Sequence, residues 1–150
     1  MRTLRHLLGF LGAAALTVAL QAGDVAWTTD YDAALARAAK ENKRVLLDFT
    51  GSDWCGFCIQ LENEVLSKPQ FVEFSAKHLV LVKVDFPREK KLPATEATQN
   101  ARLGRRFKVE GYPTVVVLNA KGEKLGQIVG YRPGSGVIAY LEELKKQAKL

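Results

Sequence analysis

Soft and metal-binding side chains are scarce in this 150-residue chain, which has two cysteines, two histidines and one methionine. A scaffold stapled by several disulfides or built on a metal cluster is thereby excluded. Only five prolines and 12 glycines accompany a 47% apolar composition, so collagen and disorder are excluded as well. Runs of like charge are absent: the densest basic group, Arg102, Arg105, Arg106 and Lys108, has helical spacing and reads as a solvated face rather than a track for phosphates. No nucleic-acid partner is expected. The length fits one domain able to bury roughly two-thirds of its unfolded surface without a staple, which frees the cysteines for another use.

A single long apolar stretch is present, Leu7 to Leu20, preceded by Arg2 and Arg5 and followed by Gln21-Ala22-Gly23. It is shorter than the ~20 residues needed to span hydrocarbon. The order of charged start, apolar middle and small-residue exit is that of a secretory signal, with a cut after Ala22 or after Ala19. Residues 1–22 are therefore expected to be a signal peptide and 23–150 a single domain. Setting Arg2 and Arg5 aside lowers the formal charge from +6 to +4. The mature protein is expected to be periplasmic or secreted, where thiols can be oxidised.

The remaining sequence alternates helical and strand-like periods. Thr28, Thr29 and Asp30 offer caps to an amphipathic helix that buries Tyr31, Ala34, Leu35, Ala38 and Ala39. Arg44 to Thr50 and Leu79 to Asp85 are nearly continuous apolar runs, as in strands covered on both faces. Between them a helix should start near Cys55 and run through Leu66 to a stop at Ser67-Lys68-Pro69, followed by a short helical piece from Gln70 to Lys77. Residues 86–94 read as a surface loop, Thr95 to Phe107 as a helix, Thr114 to Leu118 and Leu125 to Val129 as a hairpin around Asn119–Gly122. The final helix, Ser135 to Lys149, places Val137, Ile138, Leu141 and Leu144 on its buried side. This order predicts an α/β three-layer sandwich around a mixed sheet of four or five strands.

Trp54-Cys55-Gly56-Phe57-Cys58 puts both thiols at the expected start of a helix, directly after a buried strand. Free backbone N–H groups and the helix dipole favour a thiolate at Cys55, and Cys58 lies within one turn. Other uses of the pair are weaker. A structural disulfide across two residues constrains the unfolded chain little. Zinc needs more ligands than two cysteines and a distant His78. Copper(I) between two thiolates suits the soft ligands but has no methionine or histidine nearby.

Asp48 lies inside an apolar strand, so its carboxyl is either protonated or matched by a cation, and Lys83 on the neighbouring strand could tune it. Such a group beneath the dithiol can accept the Cys58 proton. The alternative places Asp48 outward at the strand end, with Lys83 reaching to solvent. Pro113, before a valine-rich strand, suggests a cis bond that leaves the flanking C=O and N–H free to pair with an extended substrate.

Taken together, the strand ending Val-Leu-Leu-Asp48-Phe, the Trp54–Cys58 motif and Gly111-Tyr112-Pro113-Thr114 before a valine-rich strand resemble the thioredoxin family over nearly all of residues 24–150. The match is nearest to exported bacterial thioredoxin-like proteins that handle disulfides. The resemblance implies a Cys55 nucleophile, a resolving Cys58, a buried acid at Asp48 and a cis Pro113 at the substrate. Trp54, Gly56, Phe57 and Tyr112 complete the expected substrate contacts. One residue more than the usual thioredoxin spacing separates Asp48 from Cys55, so the match requires the intervening loop to absorb it. Lys83 is placed like the buried lysine of protein disulfide isomerase domains.

No cofactor beyond the Cys55–Cys58 disulfide and no metal is implied. The implied partners are protein thiols and disulfides and a membrane or periplasmic electron donor, with the chain acting as a monomer. Gly-Phe between the cysteines lacks both the proline common in reductants and the histidine of strong oxidants. An intermediate potential is expected, with a reductant slightly preferred to an oxidant, and isomerisation is expected to be inefficient because no residues are left for a dimerisation domain. The competing reading is a binding module on the same fold, a copper(I) carrier or peptide-binding chaperone.

Overall fold

The computed structural model describes residues 26–150, so the expected signal peptide lies outside the described residues. The chain runs β1 (Trp27–Thr28), α1 (Tyr31–Glu41), β2 (Arg44–Thr50), α2 (Gly56–Leu61), a π-helical turn (Glu62–Leu66), α3 (Pro69–His78), β3 (Leu79–Asp85), α4 (Ala94–Arg106), β4 (Thr114–Leu118), β5 (Lys124–Val129) and α5 (Gly136–Ala148). The sheet has the order β1-β3-β2-β4-β5. Its β1, β3 and β2 are parallel, and β4 runs antiparallel to both of its neighbours, β2 and β5. No helix among the described residues is long and apolar enough to cross a membrane.

Strand alternation divides the core into two layers. Val45, Leu47 and Phe49 of β2, with Val80, Val82 and Val84 of β3, pack against Tyr31, Ala34 and Ala38 of α1 and Leu103 of α4. On the other face, Leu46, Leu81, Val115 and Val117 meet Leu61, Val65, Leu66, Phe71 and the α5 residues Tyr140, Leu141 and Leu144. The α/β three-layer sandwich is thus closed by helices on both sides.

Local signals set most boundaries. Asp30 caps α1 by accepting the Ala33 N–H at 2.9 Å, and Asn42 ends that helix in the left-handed region, which asparagine tolerates. Pro69 opens α3, where its missing N–H costs nothing. Gly122, with φ of 79°, makes the turn between β4 and β5.

Several expectations are corrected. The two-residue β1 was too short to show a period, yet it pairs Trp27 with Leu81 and Thr28 with Val82. The helix beginning at Cys55 does not stay α-helical to Leu66, because its last five residues form the π turn. Ala39 is exposed on α1. Ile138 is 62% exposed, since the buried stripe of α5 runs through Tyr140, Leu141, Leu144 and Ala148. Arg106 is not wholly given to solvent: its guanidinium donates to Tyr31 Oη at 3.0 Å and to the Gly122 carbonyl at 2.9 Å.

Two substitutions on α5 test this phase. Leu144→Ala should cost roughly 2–5 kcal/mol of unfolding free energy. Ile138→Ala should change it by less than about 0.5 kcal/mol. Urea unfolding measures both, and equal losses would show that α5 buries a different stripe.

Candidate active site

Where β2 ends, residues 51–54 fold back in a tight turn, with the N–H groups of Trp54 and Cys55 donating to the Gly51 carbonyl at 3.2 and 2.8 Å. Gly51 fits because a Cβ there would lie 2.5 Å from Trp54 Cε2. The turn takes up the additional residue between Asp48 and Cys55, so Asp48 stays inside. Cys55 is extended and caps α2, its sulfur accepting the Cys58 N–H at 3.3 Å. The two cysteines form a disulfide across this first turn, and both are buried. Once the bond is reduced, backbone donors and the helix dipole converge on Cys55 and favour negative charge there.

Asp48 is only 2% exposed and shares the sheet face of Leu46 and Leu81, which excludes the outward orientation. It sits opposite Lys83 in the parallel ladder, and the Lys83 ammonium lies 3.3 Å from Asp48 Oδ2. That ammonium also donates to Glu62 Oε2 at 2.7 Å and sits 4.2 Å from the centre of the Trp27 ring. Burial is the largest influence on Asp48 and raises its pKa; Lys83 pulls it back, while the charges of Glu62 and Asp85 add to the rise, leaving it at about 6. Burial opposes the charge on Lys83, but Asp48 and Glu62 outweigh it, so its pKa lies above the ordinary lysine value. Asp48 Oδ1 and Tyr140 Oη are buried without hydrogen-bond partners among the described residues. The Tyr140 pKa is raised, first by burial and then by the Asp48 charge.

Register brings Pro113 to the same end of the sheet, because Thr114 pairs with Phe49 next to the last residue of β2. The Tyr112–Pro113 bond is cis. Of the backbone groups expected to be free there, the Pro113 carbonyl is occupied by the Gly130 N–H at 2.8 Å, because β5 extends along β4 to this point. The N–H and C=O of Tyr112 have no backbone partner among the described residues. The Tyr112 ring meets Trp54 edge-on at 5.9 Å and Phe86 at 5.2 Å, joining the two motifs. Trp54 is half-buried and donates Nε1–H to the Phe86 carbonyl at 2.8 Å. Phe57 is 57% exposed and Gly56 is open to solvent.

The segment 86–93 is tied to this rim rather than loose on the surface. The Asp53 carboxylate accepts the N–H groups of Arg88, Glu89 and Lys90 at 2.9–3.2 Å, which hold its pKa below the usual carboxylate range. Arg88 stacks on the Trp54 ring at 3.7 Å, and Lys90 pairs with buried Asp85 at 2.8 Å. No group of three or more His, Cys, Asp or Glu among the described residues could hold a metal ion.

Comparison with known proteins agrees with this geometry. Residues 31–145 match the family model of the thioredoxin-like domain. The chain belongs to the thioredoxin-like family. It is 35% identical over 131 residues to the disulfide bond reductase DsbH of Chlamydia pneumoniae, covering 87% of this chain and 77% of that protein. The structure of a DsbH oxidoreductase superposes with a TM-score of 0.80 at 34% identity, covering 93% of this chain and 96% of the other. A thioredoxin from Thermus thermophilus gives 0.60 at 27% identity, covering 82% and 90%. With its Cys55–Cys58 disulfide, the chain is a thioredoxin-like thiol–disulfide oxidoreductase.

Glu62, Trp27, Tyr140 and Asp53 also belong to the site, although none of them stood out in the sequence. Glu62 has only its place one helical turn beyond Cys58 as a signal, and Asp53 only its position beside the motif.

The pKa of Asp48 yields a signed test. Because the folded value is raised above the unfolded one, the native state holds this proton more tightly, and the associated stability is full below about pH 4 and lost as pH rises through about 6. Asp48→Asn should therefore gain on the wild type by up to about 3 kcal/mol between those limits. Denaturant unfolding across the pH range measures it; a pH-independent difference would contradict the assignment.

Proposed function

We propose that this protein is an exported reductant of protein disulfides. The observation that carries the reading is the Cys55–Cys58 pair at the start of α2 on a sheet that buries Asp48. In the proposed cycle the Cys55 thiolate attacks one sulfur of a substrate disulfide, forming a mixed disulfide and expelling the other sulfur as a thiolate. Cys58 then gives its proton to Asp48, directly or through water, and attacks Cys55 Sγ. The second substrate thiol leaves, the Cys55–Cys58 bond closes, and two electrons have passed to the substrate. Asp48, with a pKa of about 6, is a carboxylate at neutral pH and basic enough to take that proton.

Trp54, Gly56, Phe57 and Tyr112 form the rim on which the substrate chain lies; Pro113 is buried beneath it and sets the turn of the chain, with the backbone of Tyr112 offering one N–H and one C=O for strand-like pairing. Export rests on residues 1–22 read as a signal peptide, with 23–150 as the working domain. The direction of electron flow rests on the similarity to a protein named a disulfide bond reductase. A dithiol donor, on the membrane or in the same compartment, then restores the reduced pair, and the protein acts as a monomer.

Two measurements test the reading. Cys58→Ser should accumulate partners linked through Cys55, and Cys55→Ser should trap none; binding without covalent capture would favour a peptide-binding module instead. Equilibration with glutathione should give a potential nearer that of thioredoxin, about −270 mV, than the roughly −120 mV of a strong oxidant, a value that would reverse the direction.

A further inference from the structure

One ammonium serves two carboxylates from different elements. Lys83 Nζ lies nearer to Glu62, at 2.7 Å, than to Asp48, at 3.3 Å. Glu62 is half-exposed and comes from the π turn after α2, whereas Asp48 is enclosed by the sheet. π-Helical turns inside helices recur at functional sites, because the extra residue re-aims the side chains around it. The groups that act on Asp48 are Lys83 and Asp85 from β3, Glu62 from the π turn and Tyr140 from α5. Lys83 is the only cation among them, so how closely it approaches Asp48 governs how readily that carboxyl holds a proton.

We propose that Glu62 is a positioning residue: by drawing the Lys83 ammonium toward the protein surface, it keeps Asp48 only partly neutralised and so able to accept a proton. The Trp27 ring beside the ammonium supports this intermediate placement without supplying a competing charge. If Lys83 settled wholly on Asp48, the carboxylate would become a weaker base; without Lys83, burial would keep the carboxyl protonated at higher pH. The link to turnover rests on the reading of Asp48 as the proton acceptor, but the placement of Lys83 does not.

The test is a carbon-13 NMR titration of the Asp48 carboxyl in the oxidised wild type, Glu62→Gln and Glu62→Asp, together with the pH dependence of substrate reduction. Both substitutions fall on a half-exposed side chain, so the fold is retained. Glu62→Gln removes both the charge and the anionic acceptor, and the Asp48 midpoint should fall by about half a pH unit or more, roughly a threefold change in the proton-binding constant. Glu62→Asp keeps the charge but shortens the arm that reaches Lys83, and it should move the midpoint in the same direction by at least half as much. A midpoint unmoved in Glu62→Gln overturns the proposal. So does a Glu62→Asp midpoint equal to that of the wild type, which would make Glu62 a mere distant charge. A midpoint that shifts while the pH dependence of reduction stays fixed upholds the positioning and removes Asp48 from the proposed cycle.

Discussion

A dithiol exchanges disulfides only while one of its sulfurs holds negative charge near neutral pH, and that demand fixes where in a fold the pair can sit. In this protein it sits where a buried strand gives way to a helix. The turn at 51–54 directs Cys55 to the cap position and Cys58 into the first turn, and the close packing of Gly51 against Trp54 leaves that turn little freedom. Tyr112 is brought to the same end of the sheet by the register of β4, and segment 86–93 is fastened to it through Asp53 and Trp54. The surroundings of the disulfide are thus set by backbone geometry and by polar contacts to the backbone.

Burying a carboxylate in an apolar sheet face is costly, and a purely structural design would replace Asp48 with a valine. Lys83 offsets part of that cost but is itself drawn toward Glu62, so the carboxyl is left with a pKa of about 6. An unfavourable interaction of this kind, on the strand that leads into the dithiol turn, is what the proposed proton site held close to the working pH requires. The same region contains the hydroxyl of Tyr140, unpartnered among the described residues, whose own titration responds to the Asp48 charge. Stability and proposed chemistry are therefore opposed at one residue.

The sequence made the sandwich and the cysteine motif legible because both follow from short-range rules. Apolar runs at 44–50 and 79–85, a cap at Asp30 and thiols three residues apart can each be read within a few positions. What escaped depended on longer range or finer phase. Trp27 and Thr28 form a strand only because β3 offers an edge. Ile138 satisfied the apolar count of α5, but the packed stripe is centred on Tyr140, Leu141 and Leu144. Whether Asp48 and Lys83 faced each other required the register of β2 against β3, and Glu62 looked like any solvated helix residue until the π turn placed it on Lys83. The 86–93 segment was recognisable as a loop from its prolines and charges, but its attachment to Asp53 joins residues 35 positions apart.

The central claim is that the reduced Cys55 sulfur is acidic and reachable. The rate of its alkylation by iodoacetamide, followed as a function of pH in Cys58→Ser, tests this most directly. The expected titration midpoint lies at least one unit below the value of about 8.5 for free cysteine. A midpoint at or above that value, or a thiol that fails to react in the native protein, would contradict it.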